Sequence, residues 1–423
     1  MPLGSYLIKI GGAFRRVLHL LARPVRVDSG GEGVVIHPYR GYGSRKEVFL
    51  VGRILRQGKT SPRDGRETLA RDLFDAGRRI LRKGLGGITL TAGFGGARQK
   101  VVTDRNGYFR VHLHPERFSA NDRLWHHMDL ELTDPGRARA KGAFFVPPET
   151  ARFVVISDID DTIVFTGVAD KLKMLWRLFM LKAESRVAFP GVASFYRALH
   201  QGNDRTELNP MLYVSRGPWS IYEVLDEFFR IHAIPVGPIL FLRDWGISPS
   251  HPFPDRGKGH KLELIQRMLA LYRDLPFILI GDSGQHDPEI YARVVRENPD
   301  RVLAVYIRNI SRDPGRDKDI TALADEVAAA GSTLLLAADS FAMAEHAAGR
   351  GLITLTALDE VLQERLDQEG ETNLKPVRRV EQSGQKKATD ELQTVLEEKN
   401  RTGSAVNITV ERKEAQEPPR KQP

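Results

Sequence analysis

The chain has 423 residues, 41% of them hydrophobic, with 63 Lys and Arg against 54 Asp and Glu, a formal net charge of +9, and no cysteine. That length suffices for two domains with buried cores, and the lack of cysteine excludes disulfides and thiolate metal sites and suits a reducing compartment. The basic balance favours an anionic partner: nucleic acid, an acidic membrane surface or a phosphorylated substrate.

Residues 1–34 read as an amphipathic helix followed by a linker. Lys9, Arg15, Arg16 and His19 interrupt the apolar residues of 5–22, unlike the unbroken apolar core of a secretory signal, and Pro24 stops the helix. Such a helix either packs on its own domain or lies on a lipid surface. No stretch of the sequence reaches the roughly 18 apolar residues of a membrane span.

Residues 35–150 read as a small, mainly β, antiparallel sandwich. Its expected strands are Val48–Leu55, Ile88–Ala92, Lys100–Thr103, Tyr108–Leu113, Met128–Leu132 and Ala143–Val146. Asn106-Gly107 predicts a hairpin, because that turn requires positive φ. Arg66–Lys83 spaces Leu69, Leu73, Ile80 and Leu81 along one helical face, which predicts a helical insert. The glycine clusters at 84–87 and 93–96 lack the Lys-Ser/Thr pair of a nucleotide loop and read as turns.

The pattern changes at residue 151. Phe153–Ile156, Met211–Val214, Ile239–Leu242, Phe277–Ile280, Val302–Ile307 and Thr333–Ala337 are short, continuously apolar runs separated by helical stretches. Such runs predict strands buried on both faces, hence a parallel sheet covered by helices over 151–366. In such sheets, ligands bind beyond the carboxyl ends of the strands. The charged segment 367–423 is too poor in large apolar residues to offset chain entropy and is expected to be disordered, with room for a short helix near Asp390–Lys399. Its sequons at Asn400 and Asn407 match by chance in a chain without a secretion signal.

The first of these runs leads into acid: residues 156–162 read ISDIDDT. Asp158 and Asp160 are two apart and point the same way in an extended segment, Asp161 points elsewhere, and Thr162 can hydrogen-bond the turn. Two like carboxylates repel unless a cation intervenes. One or two carboxylates with a substrate phosphate is how Mg²⁺ is usually held. A carboxylate can also attack phosphorus, and the plainest alternative is that these acids cap the next helix. Other element ends carry matching chemistry. Met211–Val214 leads into Ser215, Phe277–Ile280 leads into Gly281-Asp282 with Asp287 close behind, and Lys258 and Lys261 stand at the entrance to an amphipathic helix, Lys261–Leu271.

Together these residues resemble the haloacid dehalogenase superfamily of phosphotransferases. Asp158-Ile159-Asp160-Asp161-Thr162 is similar to its first motif, Ser215 to the second, Lys258 or Lys261 to the third, and Asp282 with Asp287 to the fourth. SDIDDTI, SRGPW, GPILFLRDWG, HKLELIQRML and FILIGDSGQHDPEIYA narrow the resemblance to the actin-patch-protein family of phosphatidate phosphatases, relatives of the lipins. The upstream HPYRGYGSRKEVFLVGRIL is similar to the amino-terminal part of bacterial members. The resemblance implies a haloacid dehalogenase-like, Rossmann-like α/β fold and Mg²⁺ held by Asp158, the backbone carbonyl of Asp160, Asp282 and Asp287. It implies Asp158 as nucleophile, Asp160 as general acid and base, and Ser215 with Lys261 as phosphate ligands, Lys258 being the alternative lysine. Arg216 is the best placed of Arg216, Arg243 and Arg308 to meet an anionic head group, and His286 lines the mouth or is exposed.

Between the first two strands, ADKLKMLWRLFMLK (169–182) places Leu172, Leu175, Trp176, Phe179 and Met180 on one helical arc and basic residues opposite. That arrangement suits either a buried cap helix or a lid whose Trp176 and Phe179 meet lipid. The expected function is hydrolysis of a phosphorylated lipid, phosphatidate to diacylglycerol, by a cytoplasmic protein peripheral to the inner face of an anionic membrane. The alternatives are a phosphatase of soluble or protein phosphates and a non-catalytic anionic-lipid-binding module. No basic run is interleaved with base-stacking aromatics, so nucleic acid is not expected.

Overall fold

Two kinds of apolar pattern give two sheets. A computed structural model of the chain describes residues 33–56, 84–118, 123–134, 137–159, 191–215, 219, 222–242, 259–311 and 313–373. The expected helices at 5–22, 66–83 and 169–182, and the tail from 374 onward, lie outside the described residues.

The amino-terminal sheet contains β1 (Val34–Pro38), β2 (Gly41–Gly43), β3 (Val48–Arg56), β4 (Thr89–Phe94), β5 (Ala97–Val102), β6 (Tyr108–Leu113), β7 (Trp125–Leu132) and β8 (Ala138–Phe145). Alternation buries Phe109, Val111 and Leu113 of β6 while Arg110 and His112 face out, as a half-buried strand requires. The strands run β1-β3-β2-β8-β7-β4-β5, with β6 on β3. This corrects the expected antiparallel sandwich: hydrogen bonds join all eight strands into one sheet, and β2 pairs β8 in parallel. The sheet bends on itself, so Val111 of β6 and Val101 of β5 share one core.

The Asn106-Gly107 turn forms, with Gly107 at φ 82 and Asp104 accepting from the Asn106 and Tyr108 N–H groups at 2.8 and 3.0 Å. It is an arch rather than a hairpin, because β5 pairs with β4 and β6 with β3. The tight hairpin is instead Gly95-Gly96, both at positive φ, between Phe94 and Ala97.

The second sheet contains β9 (Val154–Asp158), β10 (Met211–Ser215), β11 (Ile239–Phe241), β12 (Phe277–Asp282), β13 (Val302–Arg308) and β14 (Leu334–Ala337). All pairs are parallel, in the order β11-β10-β9-β12-β13-β14. Around it lie α1 (Val192–Gln201), α2 (Tyr222–Ile231), α3 (Gly259–Leu271), α4 (Asp287–Glu297), α5 (Pro314–Ala329), α6 (Ser340–Gly349) and α7 (Leu355–Asn373). Successive strand residues point to opposite faces. Val155, Tyr213 and Ile278 therefore pack with α1, α2, α6 and α7 through Phe195, Phe229, Met343 and Val361, while Val154, Ile156 and Leu279 pack with α3, α4 and α5 through Leu264, Val294 and Ile320. α7 passes the expected end of order at 366 and continues to Asn373. Polar ties hold it in place: Glu364 meets Ser194 and Arg197 of α1, and Arg365 pairs with Asp339 at 2.7 Å. Among the described residues no helix is long and apolar enough to cross a membrane.

The two sheets share their cores. Tyr39, just after β1, stacks on Trp219 at 5.1 Å and 9° and lies 4.2 Å from the Tyr222 ring. The Arg40 N–H donates to the Tyr222 hydroxyl at 2.8 Å, and its guanidinium pairs with Asp226. On the opposite face Phe145 of β8 stacks on Tyr272 at 6.2 Å. Deleting a buried ring leaves a cavity as well as lost contacts. Tyr39→Ala is therefore expected to lower unfolding free energy by about 3 kcal/mol, measured by urea denaturation.

Candidate active site

Where strand order reverses in a parallel sheet, two connections leave in opposite directions and open a crevice at the carboxyl ends. Here β9 connects onward to β10 on one side, while β12 flanks it on the other. Asp158 ends β9 and Asp282 ends β12. Asp287 begins α4, so one short loop carries the second and third acids. Ligand oxygens of Asp158, Asp282 and Asp287 all lie within 4.8 Å of one another. The three residues are 8%, 0% and 0% exposed.

Local chemistry holds this loop. Asp282 Oδ1 accepts from the Gly284 and Gln285 N–H groups at 2.8 and 3.1 Å. The Asp282 N–H points to Asp287 Oδ2 at 3.4 Å. Gly281 is what lets Asp287 come so close, because a Cβ there would fall 2.3 Å from Asp287 Oδ2. Ser283 Oγ accepts from the Ile310 and Ser311 N–H groups, both at 3.0 Å, anchoring the loop to the end of β13.

Lys261, in the first turn of α3 and 2% exposed, reaches into the cluster. Its Nζ lies 2.8 Å from Asp158 Oδ1 and 2.5 Å from Asp287 Oδ1. Burial pulls the Lys261 pKa down, but the Asp158 and Asp287 carboxylates outweigh it and hold the ammonium above its ordinary 10.5. Three carboxylates and one ammonium sum to a formal −2. A buried all-oxygen donor set with that charge fits a hard divalent cation such as Mg²⁺.

Of the site residues expected from sequence, the fold brings together Asp158, Asp282, Asp287 and Lys261. Ser215 is buried at the end of β10, one residue beyond the partner of Asp158 in the ladder. Asp160, Thr162, Trp176, Phe179, Arg216, Arg243 and Lys258 lie outside the described residues. Arg308 ends β13, in register with Asp282, and His286 is exposed.

Two residues were not singled out from sequence. Gln285 Nε2 lies 3.4 Å from Asp158 Oδ2. Arg316 of α5 donates to the Ser283 carbonyl at 3.0 Å, to the Gln285 carbonyl at 2.7 Å and to both Glu289 oxygens, clamping the loop from behind. Gln285 sits within GDSGQHD, between two acids, and that position was its signal. Arg316 stands beyond β13 with no motif to mark it. Among the described residues one further ligand-type group forms, Glu47, His112 and His114 on the outer face of the amino-terminal sheet; there Glu47 meets His112 at 2.8 Å as a solvent-facing cross-strand pair.

Residues 153–309 match the family model described as "Phosphatidate phosphatase APP1, catalytic domain". This segment of the chain is similar to that family's catalytic domain. Phosphatidate phosphatase APP1 of Saccharomyces cerevisiae is 33% identical over 171 residues, 39% of this chain and 28% of that one. An uncharacterized protein of Schizosaccharomyces pombe is 29% identical over 160 residues, 38% of this chain and 25% of that one. The chain thus spans roughly a quarter of the length of these curated relatives. Among solved structures, a carbohydrate acetylesterase from Xanthomonas citri aligns over 70% of this chain and 66% of its own at 10% identity, with a TM-score of 0.25, too low to carry an argument.

Removing one partner from a buried ion cluster leaves charge uncompensated. Lys261→Met is expected to destabilise the cation-free protein by about 3–5 kcal/mol. Because the folded pKa of Lys261 stands above 10.5, its contribution is complete below pH 10.5 and is lost as pH rises through the folded value. Denaturation of wild type and variant across pH should therefore show a difference that stays level from neutral pH upward and shrinks only above about 10.5.

Proposed function

We propose that the chain is a Mg²⁺-dependent phosphomonoester hydrolase acting on a lipid phosphate, converting phosphatidate to diacylglycerol and inorganic phosphate. The observation that carries this reading is the meeting of Asp158, Asp282, Asp287 and Lys261 at the carboxyl ends of adjacent parallel strands, inside the segment that matches the APP1 catalytic-domain model.

In this reading Asp158 attacks phosphorus. A bond forms between its carboxylate oxygen and phosphorus as the ester P–O bond breaks, and Asp160 gives a proton to the departing alkoxide. Asp160 then takes a proton from the water that attacks the aspartyl-phosphate, releasing phosphate and regenerating Asp158. Lys261 has three N–H donors, two of them directed at Asp158 and Asp287; the third and Ser215 bind phosphoryl oxygens where charge develops. Asp158, Asp282 and Asp287, with the Asp160 carbonyl, would hold Mg²⁺, which when bound offsets repulsion between the carboxylates and the anionic phosphate.

The lipid substrate is supported by the family description and by the name of the S. cerevisiae relative. The net charge of +9 suits an anionic surface, and the 169–182 segment, with Trp176 and Phe179 on its apolar arc and Arg216 near the head group, suits contact with one. The protein would then work from the cytoplasm at the inner face of the membrane.

The deciding measurement is phosphate release from phosphatidate in mixed micelles, with and without Mg²⁺, beside a panel of soluble esters. Release should require Mg²⁺ and fall to background in Asp158→Asn; faster turnover of a soluble ester would reassign the substrate, and activity surviving in Asp158→Asn would remove the nucleophile. Trp176→Glu with Phe179→Glu should weaken hydrolysis on liposomes while sparing a soluble ester, and an unchanged liposome rate would end the lid assignment.

A further inference from the structure

We infer that Gln285 is a fourth side-chain oxygen donor to the cation, one that adds coordination without adding charge. This rests on the cation-dependent reading of the site.

The backbone and side chain of Gln285 divide their work. Its N–H is held by Asp282 Oδ1 at 3.1 Å, and its carbonyl accepts from Arg316 Nη2 at 2.7 Å. These contacts fix the loop without using the amide group. The side chain is then directed at the nucleophile position, with Nε2 3.4 Å from Asp158 Oδ2. That separation is long for a hydrogen bond to a carboxylate, so the contact is weak. The other end of the amide, Oε1, is buried and has no hydrogen-bond partner.

A buried acceptor left unsatisfied costs folding free energy. Such a group is retained where something else uses it. A half-turn about Cγ–Cδ exchanges Nε2 for Oε1 and brings an amide oxygen to the carboxylate oxygen that Nε2 now faces. Two oxygens side by side repel unless a cation lies between them.

Charge and coordination both favour a neutral donor here. Asp158, Asp282, Asp287 and Lys261 already total −2, which a divalent ion balances. A further carboxylate would leave the buried site with an uncompensated charge. Mg²⁺ nevertheless wants six oxygens, and an amide oxygen supplies one at no electrostatic cost.

The test is Mn²⁺ binding to the full chain, followed by the electron paramagnetic resonance signal of free Mn²⁺, together with thermal unfolding with and without the ion. Gln285→Leu should weaken Mn²⁺ binding about tenfold, the lower end of what losing a supporting group at a metal site costs. Its melting temperature without ion should match or exceed that of wild type, since an unsatisfied oxygen has been removed, and its gain in melting temperature on adding Mn²⁺ should shrink. Gln285→Glu, which keeps an oxygen, should bind at least as tightly as wild type. Wild-type affinity in Gln285→Leu, or a lower ion-free melting temperature with no change in affinity, overturns the inference and leaves the cation site standing. If Gln285→Leu does not fold, Gln285→Glu decides, and a tenfold loss there overturns it. No saturable Mn²⁺ binding by the wild type would remove the cation reading itself, and this inference with it.

Discussion

Three buried carboxylates facing one buried ammonium set the terms for the rest of the molecule. At an effective dielectric near 20, two unit charges at about 4 Å interact by roughly 4 kcal/mol, so the cluster holds repulsion comparable to a large part of a domain's net stability. Lys261 relieves some of it by bridging Asp158 and Asp287. What remains must be resisted by elements that cannot move apart. The flanking hydrophobic clusters supply that resistance: β9, β10 and β12 are buried along their whole length, and α3 and α4, which carry Lys261 and Asp287, share one core with them. A stable sheet is therefore a condition for the charge cluster to exist.

The loop from Asp282 to Asp287 shows how this resistance reaches single atoms. Its acids are positioned by its own N–H groups, and its carbonyls are taken up by Arg316. Arg316 is balanced in turn by Glu289, whose carboxyl it holds below the ordinary range through their hydrogen bonds. Backbone polar groups at a strand's end must be satisfied somewhere. Satisfying them with a guanidinium from α5 ties the acid-bearing loop to the helix packed beside α4 on the same face of the sheet and leaves its inner surface for chemistry.

What could be read from sequence follows from how local each cause is. The six parallel strands were legible because burial on both faces forces continuous apolar runs, and the acids and Lys261 were legible because a strand end or a helix start tells a residue's address. β2 was not, since three residues with glycine at both ends have no alternation to detect. The Asn106-Gly107 turn was visible, but its consequence was not. Positive φ reverses the chain locally, while the partner of each strand is set by packing of Val101 and Val111 into a shared core. Arg316 escaped because its role depends entirely on tertiary contact, and α7 outran its expected end because beyond Leu366 its sequence, DQEGETN, has no large apolar residue to mark a helix.

The amino-terminal sheet also helps to hold the site's surroundings in place. The family match begins at residue 153 and leaves that sheet outside it, yet its aromatic residues complete both layers over the parallel sheet. Tyr39 closes one layer against Trp219 and Tyr222, and Tyr42 with Phe145 closes the other beside Tyr272. Trp219 stands four positions after Ser215, at the exit of β10, and α2 follows directly. Stacked rings brace Trp219 and α2 largely through area and shape, beside the Arg40–Asp226 pair, and the rings themselves add no charge near Asp158 and Lys261.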